Sequence, residues 1–259
     1  MKPTSKHDLA IWLPRIQATN DRFRSELGRV RFNALGLACN SLAAPRIVRK
    51  RLLSKATAKT GRPPLQCPWL PYWPALDAKP LHRADDHSWT KALRQASNDI
   101  RAELARVSDS FGRAHYDSDL NEKPWHTYYF FLHGRPDAAH LAACPRTREA
   151  LEEVPHNGLH VCFSALEPEA SLHPHTGPTN ASLTAHLGLV NCAGTSLWVG
   201  GEEAQYREDE ILVFDDSFIH WVNNAGTERR YTLMITFWHP ELNALERQLL
   251  YRAVRTIKG

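Results

Sequence analysis

From Trp125 onward the chain is built of short runs in which apolar residues recur at every second position, and that period restricts the fold more than any other feature. In SLTAHLGLV (182–190), Leu183, Ala185, Leu187 and Leu189 share one face, and Thr184, His186 and Gly188 share the other. In RRYTLMITFW (229–238), Tyr231, Leu233, Ile235 and Phe237 point one way, whereas Arg230, Thr232, Met234 and Thr236 point the opposite way. YYFFL (128–132), LHVCFSAL (159–166) and ILVFDD (211–216) have the same β-branched and aromatic texture, and Gly, Pro, Asn and Asp separate the runs. A β-strand sends successive side chains to opposite faces, so a polar set of this kind lines a pocket inside a sandwich or small barrel. The expected fold is mainly β with flanking helices, a double-stranded β-helix or jelly roll over about residues 125–240.

The remainder reads as helix and connector. Residues 8–35 give a loose helical spacing through Leu9, Ile11, Trp12, Ile16, Phe23, Leu27 and Val30, and 45–60 predict a second, amphipathic and basic helix. GRPPLQCPWLPYWPALDAKP (61–80) holds six prolines, which excludes a regular helix or a central strand and predicts an extended connector laid over the body. Asp86 or Ser88 is placed to cap a helix running to about Val107. TREALEE (147–153) predicts a helix between strands, and 240–256 predicts a closing one. For 259 residues this means one domain with an attached arm, divided as a basic helical arm over 1–64 and a body over 65–259.

The net charge of +4 conceals an asymmetry. Residues 1–64 hold 14 Lys and Arg against three acids (Asp8, Asp21, Glu26), a balance of +11, which leaves 18 basic and 25 acidic groups, or −7, for the rest. A basic arm on an acidic body suits an anionic membrane surface or an acidic carrier protein, and equally a solvated helical face. Residues 45–62 contain no aromatic side chain to stack on a base, so nucleic acid is not an expected partner. No apolar run approaches the ~18 residues of a membrane span. The start, MKPTSKHDLAIWLPRIQ, lacks the apolar stretch of a signal peptide, and five cysteines without CxxC spacing suit reduced thiols. The expected location is the cytoplasm, with peripheral contact to a membrane through the arm.

Two segments carry the candidate chemistry: HPHTGPTN (173–180) and FDDSFIH (214–220). Each places a histidine in a Gly-, Pro-, Asn- or Asp-rich stretch beside a strand. Imidazole suits divalent iron, and two imidazoles from different strands leave coordination positions open for a co-substrate and dioxygen. With 14 histidines in the chain, the spacing by itself decides nothing.

The surroundings do more. PHTGPTNASLTAHLGLV, then ILVFDDSFIHWVNN and TFWHPEL, resembles the aspartyl/asparaginyl β-hydroxylase family of Fe(II)- and 2-oxoglutarate-dependent oxygenases. The resemblance extends upstream through WHTYYFFLHG, CPRTREALEEVP and VCFSALEP, and WLPYWPALDAKPLH resembles the segment preceding the family's catalytic core. It covers roughly residues 69–245 and leaves 1–64 outside. It implies a cupin-like jelly roll, an oxygenase domain over 65–259, and His175 and His220 as the metal ligands. It further implies Asp216 as an acid holding a water on the metal, Ser164 and Arg230 as the grip on the distal carboxylate of 2-oxoglutarate, and His186 as a residue of the same pocket. Gly177 stands where the wider superfamily has a ligating carboxylate.

One departure bears on the substrate. The family usually carries an arginine at the place of Thr184, and often another at that of Ser182, where they bind carboxylates. Their loss weighs against a peptidyl aspartyl or asparaginyl substrate and in favour of a small-molecule, acyl or carrier-tethered one. The implied reaction is hydroxylation of an unactivated C–H bond with decarboxylation of 2-oxoglutarate to succinate. Halogenation at an open position beside Gly177 is an alternative, as is a binding protein whose working element is the basic arm. The segment 191–207 is not assigned to a role by its composition.

Overall fold

The computed structural model describes residues 12–21, 25, 63–69, 72–73, 76–114 and 125–257. The second basic helix expected at 45–60, and the rest of the helix expected over 8–35, lie outside these residues. The described helices are α1 (12–21), α2 (Trp89–Gln95), α3 (Ser97–Val107), α4 (Ala138–Ala143), α5 (Pro145–Glu152) and α6 (Ala244–Ile257). The strands are β1 (Leu81–His82), β2 (Gly112–Arg113), β3 (Trp125–Leu132), β4 (Arg135–Pro136), β5 (His156–Leu166) and β6 (Ser171–His175). They continue with β7 (Ser182–Val190), β8 (Thr195–Val199), β9 (Glu202–Gln205), β10 (Ile211–Phe214), β11 (His220–Asn224) and β12 (Arg230–Trp238).

The strands form two antiparallel sheets. The major one runs β1-β10-β7-β12-β5-β3-β2 with β4 beside β3, and the minor one runs β6-β11-β8-β9. The period read from β7 and β12 decides which face goes where. Leu183, Ala185, Leu187, Leu189, Leu233, Ile235 and Phe237 pack under the helices with Trp89, Leu93, Ile100, Leu104 and Leu151. Burying each of these large side chains is worth about 1.5–3 kcal/mol. The opposite faces meet between the sheets, where Trp125, Leu166, Leu172, Leu197, Val199, Phe214, Phe218, Val222 and Met234 form a second core. Thr184, His186, Arg230 and Thr232 lie on this inner side.

Several element ends differ from expectation. The helix expected to run from Asp86 or Ser88 to Val107 is two helices meeting at Ala96, and Ser88 holds the N-cap position without a side-chain bond. Ser97 and Arg101 both bind the Asp209 carboxylate, which anchors α3 to the turn before β10 independently of α2. An additional short helix, α4, precedes α5, with the His140 amide donating to the Asp137 side chain at its start. The closing helix begins at Ala244 rather than 240 because Asn243 and Glu246 cap each other reciprocally. The N-terminus of α5 is met by buried Glu103, which accepts from Arg146 N, Thr147 N and the Thr147 hydroxyl.

The proline-rich connector lies against the body where it is described. Gln66 bridges Phe218, Trp73 exchanges two backbone bonds with the Asn180 side chain, and the Asp215 amide donates to Pro80 O. It then adds β1 to the edge of the major sheet beside β10. Among the described residues no helix is long and apolar enough to cross a membrane. Among the described residues, Cys144, Cys162 and Cys192 are buried thiols outside any disulfide.

Candidate active site

His175 ends β6 and His220 begins β11, and the two are paired directly across the ladder. Their ring centroids stand 4.1 Å apart at 54°. Each imidazole is oriented by the carbonyl two residues before it: His175 Nδ1 lies 2.7 Å from His173 O, and His220 Nδ1 lies 2.9 Å from Phe218 O. A carbonyl can only accept, so both rings carry their proton on Nδ1 and present a bare Nε2 lone pair, the form that binds metal. Removal from water holds His175 down to about 4 and His220 well below its ordinary value, so both are neutral. Among the described residues no three His, Cys, Asp or Glu side chains converge as one metal-holding group.

Gly177 explains where the carboxyl is. A Cβ there would overlap the Asp216 carboxylate, so Asp216 fills the volume that a side chain at 177 would occupy. Gly177 N also donates to Asp216 O at 2.6 Å, which fixes the approach of the two loops. Asp216 Oδ2 accepts from the Thr184 hydroxyl at 3.1 Å, while its buried Oδ1 has no partner. Burial, with the neighbouring Asp215 charge adding to it, pushes Asp216 up to about 7. A carboxyl in this state lacks a positive partner, and a divalent cation on the facing imidazoles would supply one.

Deeper between the sheets, Arg230 opens β12 and is 0% exposed. Its Nη1 donates to the Thr232 hydroxyl at 2.7 Å, and its Cζ lies 4.9 Å from the Tyr206 ring centroid. Its Nε and Nη2 have no partner. A buried guanidinium without a counterion is costly, and an anion within reach of these nitrogens would offset that cost. Ser164 lies opposite Thr232 on the neighbouring strand and accepts from the Trp125 indole at 2.9 Å, leaving its own hydroxyl proton free to donate. His186 Nδ1 is 2.7 Å from the Tyr206 hydroxyl, and its buried Nε2 is unpartnered. Burial, helped by Arg230, holds His186 down to about 3. A row of packed side chains thus runs from Arg230 over Tyr206 to His186, then Phe214, then His220.

Of the six residues expected from the sequence, His175 and His220 face each other across the ladder, Asp216 accepts from Thr184, Ser164 pairs with Thr232, and Tyr206 joins His186 to Arg230. Tyr206 and Trp125 were not foreseen. Tyr206 follows the exposed strand β9, whose pattern announces no inward residue, and Trp125 reads only as a strand-start aromatic.

The arrangement defines a class: a jelly roll with two facing, neutral imidazoles at strand ends and a buried guanidinium two of whose nitrogens have no partner. The chain belongs to the aspartyl/asparaginyl β-hydroxylase family, whose model, described as Aspartyl/Asparaginyl beta-hydroxylase, matches residues 94–240. It is similar to the human protein named aspartate beta-hydroxylase domain-containing protein 2, with 29% identity over 217 residues, 78% of this chain and 59% of the relative. It is also similar to human aspartyl/asparaginyl beta-hydroxylase, with 34% identity over 140 residues, 52% of this chain and 18% of the relative. The chain therefore spans about 59% of the length of the first of these. Among solved structures it is similar to a prolyl hydroxylase in complex with a hypoxia inducible factor oxygen degradation domain peptide fragment from Trichoplax adhaerens, at a TM-score of 0.41 and 13% identity, covering 60% of this chain and 81% of that one. A cupin-like protein from Thermotoga maritima gives a TM-score of 0.32 and 12% identity, covering 51% and 83%.

Proposed function

We propose that this protein is an Fe(II)- and 2-oxoglutarate-dependent dioxygenase that hydroxylates an unactivated C–H bond. The observation that carries this reading is the buried Arg230 guanidinium with two unanswered nitrogens, in the same fold as two neutral imidazoles whose ring centroids stand 4.1 Å apart. His175 and His220 would hold the iron through Nε2. Arg230 and the Ser164 hydroxyl would grip the distal carboxylate of 2-oxoglutarate, with the Arg230 fork supplying paired, charge-assisted bonds. Asp216 would accept from water at the position that residue 177 leaves without a ligand. Bound iron with 2-oxoglutarate supplies the activation of O2, sending one oxygen atom to succinate and one to the alcohol as carbon dioxide leaves.

The substrate favoured is a small molecule, an acyl chain or a group tethered to a carrier. Where a carboxylate substrate would need a cation, the inner wall offers hydroxyls already engaged. Asn157 donates to Ser182, Thr236 donates to Asn157, and Thr184 donates to Asp216. Among the described residues, Arg230 is the buried arginine or lysine. The basic excess in residues 1–64 favours an acidic carrier protein or an anionic membrane surface as the source of substrate. The space beside Gly177 is taken by the Asp216 carboxyl, which would repel chloride, so hydroxylation is favoured over halogenation.

The test is anaerobic native mass spectrometry with Fe(II) and 2-oxoglutarate, followed by a succinate-release screen in air. One iron and one 2-oxoglutarate per chain are expected, with succinate formation abolished in His175→Ala and His220→Ala. Retention of 2-oxoglutarate turnover in both variants would remove the site from the chemistry.

A further inference from the structure

The two ligand histidines pair with each other at strand ends, where the ladder stops and other contacts hold the residues beyond it. β6 is an edge strand with β11 as its strand neighbour, and His175 is its last residue. Beyond it, Thr176 is held by the N-terminal part of the chain. Asn20, 5% exposed at the end of α1, donates from Nδ2 to Cys67 O at 3.0 Å and to the Thr176 hydroxyl at 3.1 Å. Thr176 Oγ1 donates in turn to Cys67 O at 3.0 Å. The same connector clamps the other ligand loop: Cys67 N donates to Ser217 O, Ile219 N donates to Leu65 O, and Gln66 Nε2 donates to Asp215 and Ser217.

The carbonyls that orient the imidazoles are thereby fixed from behind. His173, whose carbonyl aims His175, has its ring 5.0 Å from that of Trp12 on α1. Phe218, whose carbonyl aims His220, forms the isolated bridge with Gln66. Ile16 of α1 packs against Ile219 and Trp221, the two neighbours of His220. These contacts come from residues 12–21 and 65–67, all outside the segment 94–240 that matches the family. A centre with two protein ligands has no third to set the angle between them, so the backbone that carries them must do so.

We infer that α1 and residues 65–67 form an outer brace of the metal centre, and that Asn20 is a positioning residue acting on His175 through Thr176. This rests on the reading of His175 and His220 as metal ligands. Groups that orient metal ligands from outside typically change metal affinity by about 10–100-fold when lost.

The experiment titrates the full chain with Co(II) alone and reads its affinity and its visible d–d absorption, beside the thermal midpoint of the metal-free protein. Thr176→Val, which keeps the shape and loses the hydroxyl, and Asn20→Ala are expected to weaken Co(II) about tenfold or more and to alter the d–d bands. Thr176→Ser, which keeps the hydroxyl, is expected to restore both. A merely structural role would lower the metal-free midpoint and leave affinity and spectrum within about twofold, and that result overturns the inference. Should Asn20→Ala fail to fold, the Val and Ser pair at Thr176 decides alone. Unmodified protein that takes up no Co(II) overturns the functional reading and this inference with it. Uptake lost in His175→Ala but unchanged in the Thr176 and Asn20 variants overturns the brace alone.

Discussion

Arg230 is the residue whose surroundings say most. Its guanidinium is fully buried, bound through one nitrogen and, among the described residues, facing no acid, which makes it a cost to the protein as it stands and, on the proposed reading, an asset once 2-oxoglutarate binds. Arg230→Gln is expected to raise the 2-oxoglutarate requirement about 10- to 100-fold, the worth of a charge-assisted contact of ~1.5–3 kcal/mol, with little change in metal affinity. The same variant should hold or raise the thermal midpoint without co-substrate and lose the stabilisation that 2-oxoglutarate gives. Co-substrate dependence equal to that of the unmodified protein would take Arg230 out of the pocket. This residue was legible in the sequence because the period of β12 turns it inward with Thr232 and Thr236. The aim of the two imidazoles was not legible. It depends on the register that sets His220 opposite His175 and on carbonyls at 173 and 218, neither of which leaves a periodic trace.

At the scale of elements, strands were easier to read than helix ends. Two-residue alternation survives burial because it reports a face, whereas a cap depends on which side chain finds which amide. Asn243 and Glu246 are three apart and could have been seen, but Glu103 reaches α5 from another helix and could not. Glu103→Gln is expected to cost about 1.5–3 kcal/mol in urea unfolding, since a buried carboxylate serving three donors at a helix N-terminus loses its charge. A loss below ~0.5 kcal/mol would mean that water replaces it. A second expectation concerns acid. At the β1 edge, His82 is held down to about 4 by burial and then by His239 and His87, and His87 and His239 are themselves lowered by burial. Neutral in the fold, these rings take up protons in the unfolded chain below about pH 6.5, so the stability they give is complete above that pH. It is lost progressively as pH falls toward 4, with Asp77 and Glu241 partly opposing the loss. Asp216, held up to about 7, acts in the opposite sense over that interval, so the contribution of these rings is read as a difference: on acidification the thermal midpoint of His82→Asn should fall less, or rise more, than that of the unmodified protein. Equal pH dependence in the two proteins would contradict the burial of the His82 ring.

For the molecule as a whole, the two sheets were legible as one jelly roll, while the wrapping of the N-terminal residues around it was not. Prolines announced an extended connector, but nothing in its composition says that Gln66, Cys67 and Trp73 would meet the loops that follow β6 and precede β11. The neutral inner wall sets the expectation for substrates. An aspartyl carboxylate placed among Ser182, Thr184 and Thr236 would lack a cation, at a cost of several kcal/mol. Peptides bearing aspartate or asparagine should accordingly release no succinate above background, and introducing Arg at position 184 should not help the true substrate. Stoichiometric hydroxylation of such a peptide by the unmodified protein would return the chain to the activity for which its relatives are named.

The overlap of Gly177 with the Asp216 carboxyl has a consequence for how such a centre can change by inheritance. If His175 and His220 hold the metal, this chain is not expected to gain a third ligand by one substitution at 177. Gly177→Asp would drive two carboxyls into one volume, and Asp216→Gly alone would leave none. Only the exchange of both restores one carboxyl to that space, now attached to the other loop. The double variant is expected to bind Co(II) more tightly than Gly177→Asp alone, with the two effects far from additive. Additive losses would mean that the loops can part, and that the two-histidine centre is one step, rather than two, from its three-ligand counterpart.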